Sequence, residues 1–296
     1  MTQPFFARAE PPRGIVTVTG DDRSSFLQGL VSNDLRLVGD RRGIWAALLT
    51  PQGKYLFDFF VTARGDALLL DAETGRAADL VKRLSLYRLR AKVRIAYAAD
   101  QFEVWHAWGN GAAASFGLAA PGDAVPLAGG VALADPRLAT LGLRLVLPSG
   151  IGEALLRDKG FQPTDWALWD LLRLSEGVPD GSRDLVIDKS ILLESGFDEL
   201  AGVAWDKGCY MGQELTARTK YRGLIKKRLI PVVVSGALPP PGTIVTRADG
   251  SEAGELRSGR GDRALALLRL DAIGGDGELS AASARLRPIR PGWARF

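Results

Sequence analysis

One cysteine, Cys209, and one histidine, His106, occur in 296 residues. A chain of this kind forms no internal disulfide and no four-ligand Cys/His metal site, and by itself it cannot hold an iron-sulfur cluster. Its fold has to be closed by packing alone. The means are sufficient: 46% of the residues are hydrophobic and 24% charged, which supports a sizeable core and excludes intrinsic disorder as the main state. Two or three domains are expected at this length. The opening MTQPFFARAEPPRG has no apolar stretch of the signal-peptide kind, and no apolar run approaches the roughly 20 residues that span a bilayer. The expectation is a cytoplasmic protein with no membrane partner and no permanently bound metal. A Ser-His-Asp triad could run only through His106, which lies in VWHAWG between Trp105 and Trp108 and reads as part of a strand end. There a packed structural histidine is the commoner outcome.

Positive charge is concentrated. RTKYRGLIKKR, residues 218–228, holds Arg218, Lys220, Arg222, Lys226, Lys227 and Arg228 and no acid. Its +6 exceeds the whole-chain +4, so the other residues sum to −2 and direct, stable nucleic-acid binding is not expected. The segment is either a seat for an anionic ligand or a solvated connector. A second run, YRLRAKVRI, sets Arg88, Arg90, Lys92 and Arg94 against Leu89, Ala91, Val93 and Ile95 at period two, the pattern of a half-buried strand with one cationic face.

Along the chain, RGIVTVTG reads as a strand, followed by Asp21 and Asp22 as candidate caps for a helix through FLQGLVSNDL. GIWAALLT and KYLFDFFVT read as strands joined by a Pro51-Gln52-Gly53 turn, ALLLDAE as a third, and GRAADLVKRLSLYRL as an amphipathic helix. Residues 109–130, rich in Gly, Ala and Pro, suggest a loop, and GLRLVLP a strand. PTDWALWDLLRLSEG predicts a helix, capped by Thr164 or Asp165, with Leu168, Leu171 and Leu172 apolar and Gly177 as its stop. Residues 178–206 are irregular. From residue 229 onwards the texture becomes short β-like runs between turn residues, which fits a small barrel over 229–296 after a larger region over 1–228.

DKGCYMGQELTAR, residues 206–218, gathers the unusual chemistry. Gly208 and Gly212 permit tight turns around Cys209. With Cys209 in the first turn of the following helix, backbone N–H groups and Lys207 would favour the thiolate. Gln213 and Glu214 add polar groups, and Tyr210 an aromatic one. The alternative is that Cys209 is a small buried packing residue.

KGCYMGQE, residues 207–214, resembles the signature of the YgfZ family of folate-binding proteins, which includes mitochondrial iron-sulfur assembly factors and is similar in fold to the aminomethyltransferase (T-protein, GcvT) of the glycine cleavage system. FLQGLVSNDL, LLTPQGKYLFDF, LRAKVRI, LRLSEGVP and ARTKYRGLIKKRL resemble family segments in the family's order, so the likeness covers nearly the whole chain. It implies an α+β, GcvT/YgfZ-like fold: two interleaved α/β subdomains and a C-terminal β-barrel around a central cavity for tetrahydrofolate. The anionic glutamate tail of a folate would give Arg218, Lys226, Lys227 and Arg228 a client. Glu194, in LLESGFDEL, falls where the relatives carry an acid near the ligand, and Tyr210 would adjoin the cavity. Where aminomethyltransferases carry an adjacent acidic pair, this chain has Phe57 followed by Asp58, and where they carry a Glu after LRL it has Ser175.

The resemblance thus implies a tetrahydrofolate-binding protein that supports assembly or repair of iron-sulfur clusters in client enzymes, tRNA-modifying ones among them, with Cys209 as its reactive thiol and Lys207 beside it. Its partners would be folate and iron-sulfur assembly or client proteins. Two alternatives stand: a folate-dependent aminomethyl or one-carbon transferase using Asp58, and a non-catalytic interaction module.

Overall fold

The computed structural model describes residues 3–274 and 278–296. Two compact units are threaded by one chain: Met1–Leu49, Phe57–Trp169 and Ala201–Met211 make the first, and Thr50–Leu56, Asp170–Leu200 and Gly212–Phe296 the second.

The first unit contains a six-stranded sheet ordered Gln162–Pro163, Phe5–Arg8, Phe102–Trp108, Leu143–Pro148, Gly130–Ala134 and Ala124–Leu127. A five-stranded sheet runs Ile44–Leu49, Tyr55–Arg64, Ala67–Glu73, Arg13–Thr19 and Arg94–Tyr97. Every residue of Ile44–Leu49 is buried, which is why it reads as a continuous apolar run rather than an alternating one. Helix Thr74–Leu86 buries Ala77, Leu80 and Leu84, three and four residues apart on one stripe, against the second sheet. Each buried leucine contributes about 2 kcal/mol.

Three expectations need correction. The helix after Asp22 spans only Arg23–Gln28, because the chain then turns so that Asn33 and Asp34 can cap the next turn: Asp34 accepts from the Arg36 N–H at 2.9 Å. In YRLRAKVRI only Arg94 onwards is strand, Arg94–Tyr97. Residues 87–93 form a turn in which Leu89 takes a left-handed φ of 42°. Residues 109–130 are not a plain loop. They hold the short helix Ala114–Phe116, and strand Ala124–Leu127, which pairs with Gly130–Ala134 as a hairpin.

In the second unit strands Lys227–Ser235, Arg263–Arg269, Glu252–Arg260, Ile244–Arg247, Leu279–Ala281 and Ala284–Pro288 close into a barrel. Alternate residues Ile230, Val232 and Val234 point inward with Leu256, Leu268 and Leu286. Closure removes the open edges that short strands would otherwise expose. The same unit holds a buried ionic knot. Arg173, on helix Trp166–Glu176, donates to Asp170 at 2.7 Å, to Asp184 at 2.7 Å and to Ser258 of the barrel at 2.8 Å. Arg183 and Arg260 also donate to Asp170, so every buried charge is met.

Candidate functional site

Cys209 is exposed, and it stands on a turn rather than in a helix. Helix Gln213–Tyr221 begins four residues later, and Gly212, left-handed at φ 79°, intervenes, so the expected first-turn stabilisation of a thiolate is absent. Gly208 is also left-handed, at φ 88°. Glycine adopts such backbone without the Cβ clash that other residues meet, so the two glycines fit the conformation required on either side of the thiol.

The turn is anchored from below. The Lys207 ammonium donates to the carbonyl oxygens of Gln28 at 2.7 Å, Val31 at 2.6 Å and Asn33 at 2.8 Å. The Gln28 carboxamide returns a bond to the Lys207 carbonyl, and the Met211 N–H donates to Gly29 at 3.0 Å. Burial pushes Lys207 down to about 8, with Asp34 opposing the fall and Arg36 adding to it. Arg36 in turn holds the Asp34 carboxyl down at about 2 through paired bonds, against the pull of burial. Lys207 therefore fastens the turn, with its three donors spent on backbone carbonyls and its charge over the Tyr210 ring at 5.1 Å. The sequence reading missed this network. Its signal was SNDL at residues 32–35, an Asn-Asp capping pattern in a chain whose Lys-Gly-Cys lies far downstream.

The basic segment does not act as one seat. Arg218 pairs with Glu214 at 2.5 Å, and Lys220 with Asp198 at 3.0 Å. Arg228 is buried and spent on the Leu193 carbonyl and on Glu199, each at 2.9 Å. Lys226 is exposed, and Lys227 is only 4.0 Å from Glu252. Glu194, in the turn Leu192–Ser195, is half-buried and accepts no hydrogen bond from a described residue. Burial pushes its carboxyl up, while Lys227, Lys54 and Arg228 pull it down. Lys54 was not among the expected site residues. Asp58 is buried and accepts from the Trp45 indole N–H at 2.9 Å.

Two features of the first unit hold none of the expected site residues. His106 is buried inside strand Phe102–Trp108, with its ring 4.0 Å from that of Trp169 and 4.8 Å from that of Trp166. Its Nδ1 meets no partner among the described residues, so the triad has no support. A pocket of about 260 Å³ is lined by Asn33, Arg42, Ile44 and Val203. Among the described residues no three His, Cys, Asp or Glu side chains are grouped to hold a metal ion.

Residues 226–296 match the model of the CAF17 C-terminal β-barrel domain. The mitochondrial iron-sulfur cluster assembly factor IBA57 of Mus musculus is 34% identical, over 95% of this chain and 83% of its own length. The chain belongs to the IBA57 family. The human IBA57 is 35% identical over the same shares, and the IBA57 homologue of Aspergillus fumigatus is 30% identical over 88% of this chain and 69% of its own. The fold is that of the glycine cleavage system aminomethyltransferase T of Bartonella henselae, with a TM-score of 0.78 at 14% identity over 98% of this chain and 85% of that one. The IBA57 relatives are named as mitochondrial; among the described residues no helix is long and apolar enough to cross a membrane.

Proposed function

We propose that this IBA57-family chain acts in the cytoplasm in assembly or repair of iron-sulfur clusters of client enzymes, tRNA-modifying ones among them, and that it binds tetrahydrofolate. The observation that carries the first part is the exposure of Cys209 on a turn whose anchors are buried. An exposed thiol can lose its proton to solvent and bind an iron of the cargo cluster, whose other ligands a partner protein must supply, since one cysteine cannot hold a cluster. Rigid anchoring keeps the sulfur presented without the entropic cost of ordering a loop on each encounter.

Glu194 supports the second part. A half-buried carboxylate with no hydrogen-bond donor is costly to keep, and a planar pteridine edge offers two N–H donors that would satisfy it. Lys54 and Lys227 oppose the upward push of burial on that carboxylate, and exposed Lys226 is left for the folate tail, in place of the full cluster expected from the sequence. Bound tetrahydrofolate would supply a one-carbon carrier. The transferase reading draws less support, because one oxygen of Asp58 is held by the Trp45 indole.

The test combines anaerobic tetrahydrofolate titration with rescue of cluster-dependent enzyme activities in cells lacking the native gene. Cys209→Ala should lose rescue and keep folate binding. Glu194→Gln should weaken binding about ten-fold, the equivalent of one charged hydrogen bond. Full rescue by Cys209→Ala sinks the thiol's role, and absence of folate binding in every form leaves an interaction module.

A further inference from the structure

Residues 87–93 follow helix Thr74–Leu86 and lead into strand Arg94–Tyr97. This connection is fixed. The Asp22 carboxylate accepts from the Lys92 N–H at 2.7 Å, the Asp22 N–H donates back to the Lys92 carbonyl at 3.5 Å, and Ala91 donates to the Arg88 carbonyl at 2.8 Å. A Cβ at Gly20 would lie 2.1 Å from the Lys92 oxygen, so only glycine lets the two segments approach this closely. Yet the turn displays apolar surface. Leu89 is 88% exposed and Leu86 69%, and Leu89 holds the left-handed φ of 42° that a branched side chain avoids. Packing does not explain the strain, since a leucine this exposed makes almost none.

The same connection carries Arg88, Arg90 and Lys92, and the strand that follows opens on Arg94; all four are exposed, none paired with a carboxylate of a described residue. Arg94 lies on the terminal strand of its sheet, where a cation discourages strand addition. That explanation does not reach Arg88 or Arg90, which precede the strand. Three arginines among four cations suit phosphate, which a guanidinium meets with two parallel bonds.

We propose that this turn is a peripheral contact for anionic bilayers, with Leu86 and Leu89 entering the acyl boundary and Arg88, Arg90, Lys92 and Arg94 meeting lipid phosphates. Two prominent leucines are too little apolar area for a standard protein interface, which takes about 800 Å² from each partner. A bilayer demands no complementary shape, and apolar tips ringed by basic side chains are how peripheral proteins engage it. The contact is independent of the Cys209 and Glu194 readings.

The test is co-sedimentation of the full chain with vesicles of phosphatidylglycerol and phosphatidylcholine at one to three, beside pure phosphatidylcholine vesicles. Binding should be confined to the anionic vesicles and should fall at 0.5 M salt. Leu89→Asp and the Arg88→Glu/Arg90→Glu double variant should each lower the bound fraction at least about five-fold with unchanged thermal unfolding. Leu89→Trp should gain a blue-shifted emission on adding anionic vesicles. No binding to anionic vesicles overturns the proposal, as does binding that both charge-altering variants retain. Displacement of the vesicles by poly-glutamate at equal charge, with no blue shift in the Leu89→Trp variant, would assign the turn to an acidic protein instead and would equally overturn it.

Discussion

The Lys207 ammonium lies 2.6 Å from the carbonyl oxygen of Val31, a residue 176 positions earlier in the chain. Two further carbonyls, of Gln28 and Asn33, complete its three donor bonds. Lys207→Met keeps the aliphatic stem and removes the donors, leaving three carbonyls short of a bond. Urea unfolding should show a loss of about 3 kcal/mol. Alkylation of Cys209 by a small reagent should stay within about two-fold of the parent rate, because the ammonium's three donors are spent on backbone carbonyls. A larger fall in rate with unchanged stability would restore Lys207 as the thiol's activator.

Gly53 carries a similar constraint in the second unit. At φ 82°, its absent Cβ would stand 2.6 Å from both the Gly212 carbonyl and Leu215 Cβ. Gly53→Ala therefore combines a disfavoured backbone with a clash against the start of helix Gln213–Tyr221. The expected cost is about 2–4 kcal/mol by denaturant unfolding. A variant as stable as the parent would show that the turn relaxes freely.

His106 gives the chain a pH dependence that one residue can be held to, since no other histidine exists. Burial first, then Arg144, Arg137 and Arg13, push it well below its usual 6.5. Below pH 6.5 the unfolded chain binds a proton that the folded one refuses, so stability should fall as the pH drops from 6.5. His106→Phe should flatten that slope between about pH 5 and 6.5, and an unflattened slope would place its origin elsewhere.

The Asp170 knot acts at lower pH. Burial raises the Asp170 carboxyl, but Arg173, Arg183 and Arg260 together bring it from 3.8 down to about 2. Its stabilisation is present above about pH 4 and is lost as the pH falls through 2, a contribution of about 2 kcal/mol. Asp170→Asn should abolish that acid step and also cost about 3–5 kcal/mol at neutral pH, because Arg173 would be left buried with half its charge unmet. Calorimetry at pH 3, 4 and 7 separates the two effects.

Much of the architecture could be read from local pattern. ALLLDAE and GRAADLVKRLSL carry their period in adjacent residues, and Ala67–Glu73 and Thr74–Leu86 follow it. YRLRAKVRI misled because period two is also met by a turn, and this turn is pinned at Lys92 by Asp22, seventy residues away. The site was legible in identity and not in role. Cys209 between two glycines announces a turn, but what Lys207 does depends on Gln28, Val31 and Asn33, and no local rule joins positions so far apart. Likewise the charges of residues 218–228 are visible in sequence, whereas the pairing of Arg218, Lys220 and Arg228 with Glu214, Asp198 and Glu199 appears only on folding.

The threading of the two units bears on how such a gene can change. The chain passes between them at residues 49/50, 56/57, 169/170, 200/201 and 211/212, so no single cut yields either as a continuous fragment. A product stopped at residue 228 would retain Arg173 and Asp184 while losing Ser258, which donates to Asp184 from both its amide and its hydroxyl. The barrel is thus a poor cassette for recombination: exchanging it by duplication or fusion would carry off Ser258 and Arg260 and strand Asp170, Arg173, Arg183 and Asp184, so inheritance of the whole chain is the route that keeps the buried network intact.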